Sequence, residues 1–167
     1  QMNLRMTDML MDELGAEFVE VSAHIGARPD HQVWQGRVYH VGGAKDGYPD
    51  FEEVTGYGTD PGLGGWNCRH TFFPFFPGIS RRTYTDEQLQ HIDPPPITYG
   101  GKQYTYYEAT QRQRKMETAI RQTKNEAIGY KSAGLDGNFQ TASIKLNMQK
   151  QAYAEFSKAA KLVMRSD

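Results

Sequence analysis

Cysteine is almost absent from this chain: Cys68 stands alone among 167 residues. No internal disulfide can form, so the fold must hold without covalent staples, as suits a reducing compartment. Long apolar runs are missing too. Nothing approaches the roughly 20 consecutive apolar residues that a membrane-crossing helix needs. The start shows no basic segment followed by an apolar stretch, so secretion is not expected. Neither sign of charge prevails: 19 Lys and Arg stand against 20 Asp and Glu, for a formal net charge of −1. This excludes attraction of the whole chain to nucleic acid, and any DNA contact would have to be local. Proline vanishes after Pro96, which frees the rest of the chain for long helices.

A chain of this length supports one compact domain with a real core. It opens on Gln1-Met2-Asn3-Leu4 with helical patterning under way, and reads as a piece of a longer chain. Leu4, Met6, Met9, Leu10 and Leu14 predict a short amphipathic helix, stopped at Gly15. Phe18 to His24 then reads as a half-buried strand that delivers His24 to its end. All 8 prolines and most of the 17 glycines fall between Gly26 and Tyr107, the irregular half. Within it, Gly36 to Val41 reads as a strand, Tyr57 to Gly65 as a long loop, and Phe72 to Gly78 as a kinked apolar segment. Thr85 is placed to cap a single helical turn, and Asp93-Pro94-Pro95-Pro96 forms an extended spacer. After Tyr107 two helices are expected, one to about Lys131 with Ala109, Met116, Ile120 and Ala127 on a stripe. The other starts near Asn138, with Ala142, Leu146, Tyr153, Phe156, Ala160 and Val163 on its stripe. The short connection Ser132 to Gly137 makes them antiparallel neighbours. The expected fold is α+β: a small loop-rich sheet region with an N-terminal helix over 1–104, and a C-terminal helical hairpin over 105–167.

The densest chemistry lies in two segments, Ser22 to Arg37 and Gly64 to His70, which are expected to meet in space. The first carries His24, Arg28, His31, Trp34, Gln35 and Arg37; the second carries Trp66, Asn67, Cys68, Arg69 and His70. Three readings are open. His24, His31, Cys68 and His70 are nitrogen and sulfur ligands of the kind a closed Zn²⁺ site takes, though no CxxC knuckle or HExxH helix is present. Cys68 with a histidine among His24, His31 and His70 could form an activated nucleophile, since a thiolate beside an imidazolium has a lowered pKa. The bland reading needs no cofactor: the histidines bond backbone carbonyls and fix irregular loops. Arg28, Arg37 and Arg69 are expected to clamp carboxylates such as Asp30, Asp50, Glu52 and Glu53. Gly62-Leu63-Gly64-Gly65 matches no phosphate-binding motif, which sets nucleotide binding aside. Arg112, Arg114, Lys115, Arg121 and Lys124 could follow a DNA backbone weakly, but Glu108, Glu117 and Glu126 interrupt them as partners in a solvated face.

Taken together, the strings Val19 to His31, Trp34 to Tyr39, Gly56-Tyr57-Gly58, Gly64 to His70, Phe75 to Gly78 and Tyr107 to Arg114 resemble the phage minor capsid proteins of tailed phages and prophages of Gram-positive bacteria. The layout is also similar to the head-morphogenesis proteins typified by the phage Mu F protein, which often carry Cys-Arg-Cys where this chain has Cys68-Arg69-His70. The resemblance implies a structural, low-copy component of the virion head, made in the host cytoplasm. Portal and capsid proteins would be its partners, and its roles would lie in head assembly or in ejection with DNA. Relatives of the broader group are sometimes joined to toxin domains, so a phage-delivered enzyme is the alternative. It would be ADP-ribosyltransferase-like or a Cys/His hydrolase, using His24, Arg28, His31, Cys68 and His70. No Glu-x-Glu follows a strand and serine motif here, which weakens the first of these.

Overall fold

Helix α1 (Met2–Leu14) stops where glycine permits it. Gly15 takes φ 59°, its N–H bonds the Asp12 carbonyl at 3.3 Å, and the Ala16 N–H bonds the Met11 carbonyl at 3.0 Å. This is a Schellman motif, which satisfies two of the carbonyls left over at a helix end. The computed structural model describes residues 2–165. They form an α+β fold in two compact units, one up to Asp93 and the other from Pro94.

In the first unit, β1 (Phe18–Val21) is the central strand of an antiparallel sheet. It lies between β2 (Val38–His40) and β3 (Phe72–Phe75). A half-buried strand was expected, yet all four β1 residues are buried. The reason is that each face has its own cover. Val19 and Val21 lie in a core with Leu4, Met11, Trp34, Tyr39, Phe51, Leu63 and Phe72, whereas Phe18 clusters with Val38 and Phe75. Glu20 shares the Phe18 face by the period-2 geometry of a strand. Its carboxylate is buried and accepts from the Thr83 N–H at 2.7 Å and the Thr83 hydroxyl at 2.8 Å. The strand also ends at Val21, so a loop and not a strand carries the chain to His24. Pro74 is tolerated because β3 is an edge strand, where a missing N–H breaks no ladder.

Three short helices complete this unit: α2 (Pro29–Gln32), α3 (Phe51–Thr55) and α4 (Asp86–Gln90). Asp50 caps α3 by accepting from the Glu53 N–H at 2.6 Å. Thr85 and Gln88 form a reciprocal capping box at α4, as the sequence suggested for Thr85.

The second unit opens with a hairpin that the periodicity did not reveal, β4 (Ile97–Tyr99) and β5 (Lys102–Tyr104). Gly100 and Gly101, at φ 58° and 76°, supply the two positive-φ residues of a tight hairpin turn. Tyr104 is buried with Ala109, Phe156 and Ala160, and Ile97 and Tyr99 pack on the same cluster. The hairpin therefore belongs with the helices. The two compact units divide between Asp93 and Pro94.

Helices α5 (Tyr106–Ser132) and α6 (Asp136–Ala159) follow. They are antiparallel, because the contacts run in opposite order along the two: Gln113 with Ser157, Glu117 with Tyr153, Glu126 with Lys145. Val163 does not extend the α6 stripe; it is 86% exposed. Lys161 adopts φ 52°, and Leu162 N–H bonds the Ser157 carbonyl at 2.9 Å. The helix has already closed, and Leu162 packs on the core in its place.

Candidate functional site

The first site segment is bent into place by local geometry. Gly26 takes φ 69° and gives its N–H to Asp93 at 2.6 Å. The same carboxylate accepts from the Gln32 amide at 2.6 Å. Pro29 opens α2 at the position where its missing N–H costs nothing. One helical turn then carries His31, and Trp34 and Gln35 follow, all three buried. The second segment, Cys68 to His70, runs irregularly into β3. Ser22 and Thr71 lock the two segments together, through Ser22 N–H to the Thr71 carbonyl at 2.8 Å and Thr71 N–H to the Ser22 hydroxyl at 2.9 Å.

His70 is the centre of what results. It is 4% exposed, stacked on His24 with ring centroids 4.2 Å apart, and edge-on to Trp34 at 4.7 Å. Its Nε2 faces Gln35 Oε1 at 3.0 Å, and that oxygen also accepts the His24 backbone N–H at 3.0 Å. An amide oxygen only accepts, so His70 carries its proton on Nε2 and turns a bare Nδ1 toward its other neighbours. Those neighbours are His31 Nδ1 at 3.4 Å and Cys68 Sγ at 3.6 Å. His31 is anchored from behind as well: its Nε2 lies 3.0 Å from the Pro61 carbonyl and 2.5 Å from Arg28 Nη2. Arg28 itself bonds the Pro61 carbonyl and pairs with Asp30 at 2.8 Å.

Three ligand atoms thus converge, from His31, Cys68 and His70, all within 4.8 Å of one another. His24 is not among them, since it serves as a stacking partner and its Nδ1 faces its own neighbour's carbonyl, that of Ile25, at 3.0 Å. The structure gathers His24, Arg28, His31, Trp34, Gln35, Cys68 and His70 in one cluster. It leaves the side chains of Arg37, Trp66, Asn67 and Arg69 exposed outside it. Asn67 contributes a turn at φ 57°. The expected arginine clamps are only partly present. Arg28 pairs with Asp30, but among the described residues no ion pair joins Arg37 or Arg69 to Asp50, Glu52 or Glu53, and Asp50 is occupied as a helix cap. Sequence reasoning missed Asp93 and the Pro61 carbonyl, both brought in from distant loops with no motif of their own.

The family described as phage minor capsid protein 2 matches residues 1–158. The chain belongs to the phage minor capsid protein 2 family. No curated protein and no solved structure matches it. In this minor capsid protein the histidine cluster is filled by its own side chains, with His31 3% and His70 4% exposed.

Burial, then the nearby His24, His31, Arg69 and Arg28, push the His70 pKa down to about 3. A neutral imidazole lacks the charge with which an imidazolium stabilises a neighbouring thiolate. The lowered pKa also sets a pH dependence. Unfolded His70 would titrate near its ordinary value of 6.5. Its stabilising effect is therefore complete above that pH and is lost as pH falls toward the folded value, because the unfolded chain binds the extra proton. Unfolding free energies from urea titrations in chelator at pH 7, 6 and 5 should fall with acidification, by up to about 1.4 kcal/mol per pH unit. A His70→Gln variant should show a flatter profile over that range.

In the second unit, the basic residues of α5 divide. Arg112 is tied down at the surface: it donates to the Tyr104 hydroxyl at 2.8 Å and lies over the Tyr104 and Phe156 rings at 5.3 and 5.0 Å. All five basic residues Arg112, Arg114, Lys115, Arg121 and Lys124 are exposed, and no such ring contact holds the last four.

Proposed function

We propose that this minor capsid protein acts in assembly of the phage head, docking on portal or capsid subunits, and that its buried histidine cluster holds the fold together and performs no reaction. One observation supports the docking role above others. Helix α1 is apolar on two sides: Leu4 and Met11 enter the core, while Met6 and Met9 stay 65% and 66% exposed and Leu10 43%. An ordinary surface helix has a single apolar stripe. A second one, rich in methionine, adapts to a partner's contours and is costly to leave in water. The enzyme alternative places a substrate beside His24, Arg28, His31 and His70, and the burial of His31 and His70 at 3% and 4% exposure speaks against it.

The test is the composition of particles made by the encoding phage, with wild-type chain or with Met6, Met9 and Leu10 all replaced by serine. The expected result is wild-type chain in purified heads and loss of the triple variant from them, although it remains folded in the lysate. Chain found free of heads and portal complexes, or a triple variant incorporated like wild type, would contradict the proposal.

A further inference from the structure

We propose that His31, Cys68 and His70 bind one zinc ion, through His31 Nδ1, Cys68 Sγ and His70 Nδ1. The case rests on the distances and on where the protons sit. A tetrahedral zinc with Zn–N near 2.0–2.1 Å and Zn–S near 2.3 Å spaces two imidazole nitrogens by about 3.4 Å, and nitrogen from sulfur by about 3.6 Å. Two of the three observed separations match, 3.4 Å for the two Nδ1 atoms and 3.6 Å for Sγ and His70 Nδ1, and His31 and Cys68 lie within 4.8 Å, a gap the ion would draw in.

Both imidazoles are also held from behind as metal ligands are. His70 donates from Nε2 to Gln35, and His31 has the Pro61 carbonyl 3.0 Å from its Nε2. Such contacts fix the tautomer and raise the basicity of the nitrogen that faces the metal. With both Nε2 atoms protonated, two lone pairs point at each other across the gap, an arrangement that calls for a cation.

A proton is the rival occupant. If His31 carried it on Nδ1, that nitrogen would donate to His70 and Nε2 would accept from Arg28. The unprotonated Nε2 would then face the Pro61 carbonyl oxygen, acceptor against acceptor, at 3.0 Å. That carbonyl is backbone and cannot turn away. In the zinc tautomer the conflict is instead with Arg28 Nη2, and relieving it moves a side chain that is 30% exposed, at the expense of its bond to the Pro61 carbonyl and without loss of the Asp30 pair made through Nε.

The ion binds as Zn²⁺ to two neutral imidazoles and a thiolate, and the Cys68 thiol proton leaves to solvent. Three protein ligands leave one coordination position for water or a further donor. The ion would tie α2 to the segment entering β3, parts of the chain with no covalent link near them.

The test uses the whole chain, stripped with chelator and dialysed against zinc. We expect one zinc per chain by elemental mass spectrometry and a raised melting temperature. Cobalt in its place should give the visible bands of a tetrahedral site and a thiolate-to-metal charge-transfer band. Cys68→Ser should lose that band, and Gln35→Leu, which removes no ligand, should weaken zinc about 10- to 100-fold. Because Cys68→Ser could misfold, its tryptophan fluorescence is compared with that of wild type, and the cobalt spectrum of wild type decides independently. A wild-type chain that is folded yet binds neither zinc nor cobalt would overturn the proposal. Cobalt bound without a thiolate band would overturn it too.

Discussion

Gly62→Ala is expected to unfold the first unit in mild denaturant. An alanine Cβ at that position would sit 1.8 Å from the Gly56 carbonyl oxygen and 2.4 Å from its carbon. Both are backbone atoms, so no side chain can swing aside to relieve the overlap. The two glycines touch because the chain reverses tightly: Thr59 N–H bonds the Gly56 carbonyl at 3.0 Å, and Leu63 N–H returns to the Thr55 carbonyl at 2.9 Å. Leu63 is thereby set into the core at 1% exposure, and the Pro61 carbonyl is aimed at His31. Forcing the loop open disrupts packing and the histidine cluster together, a loss on the order of 3–5 kcal/mol, at the severe end for single substitutions. Both tryptophans, Trp34 and Trp66, lie in this unit, so tryptophan fluorescence in a urea titration reads it directly. Gly58→Ala is the control. Its Cβ would meet nothing within 4 Å, and only its φ of +84° is unfavourable, a cost of about 1–2 kcal/mol. Equal midpoints for the two variants would mean that the close approach at Gly62 is not what holds the loop.

Phe156→Ala should be the most damaging single truncation in the second unit. Phe156 is 0% exposed. Tyr99 and Tyr104 meet its ring edge-on, with centroids 5.2 and 5.7 Å away, and the Arg112 guanidinium lies 5.0 Å above it. Removing the ring forfeits the transfer free energy of a phenyl group and leaves a cavity that the hairpin and both helices must close, about 3–5 kcal/mol. It also strips Arg112 of one of its two aromatic neighbours. Far-UV circular dichroism is the suitable probe, because α5 and α6 hold most of the helix in the molecule. Ala109→Gly, a small change on the same cluster, should cost only about 1 kcal/mol from helix propensity. A Phe156→Ala midpoint no lower than that of Ala109→Gly would show that the hairpin is not anchored through this ring.

The reach of the sequence can be followed residue by residue. Gly15, Thr85 and the proline-free tail marked α1's end, α4's start and the helical pair, because caps, stops and helical periodicity are local and written in neighbouring residues. Ala109, Ile120, Ala142, Tyr153 and Phe156 all fell on the buried stripes where they were expected. Local pattern failed where burial came from elsewhere. Glu20 and Gln113 are polar yet buried, each because a distant partner, Thr83 or Ser157, satisfies it. The Gly100-Gly101 hairpin was hidden by the shortness of its strands, although the glycine pair itself was a turn signal. At the candidate site, the residue types and the meeting of the two segments were legible in their strings of histidine, tryptophan and arginine. The division of labour among them was not.

By itself the amino-acid sequence determined the fold class, the family, the absence of disulfides and the helical tail, since each depends on composition, on nearest neighbours or on strings of residues read in order. The tertiary structure alone decided that His31, Cys68 and His70 converge while His24 stacks, that Gln35 and Pro61 orient the imidazoles, and that Arg112 lies over the Tyr104 and Phe156 rings. Those outcomes depend on which atom of a side chain faces which, and only long-range packing sets that geometry.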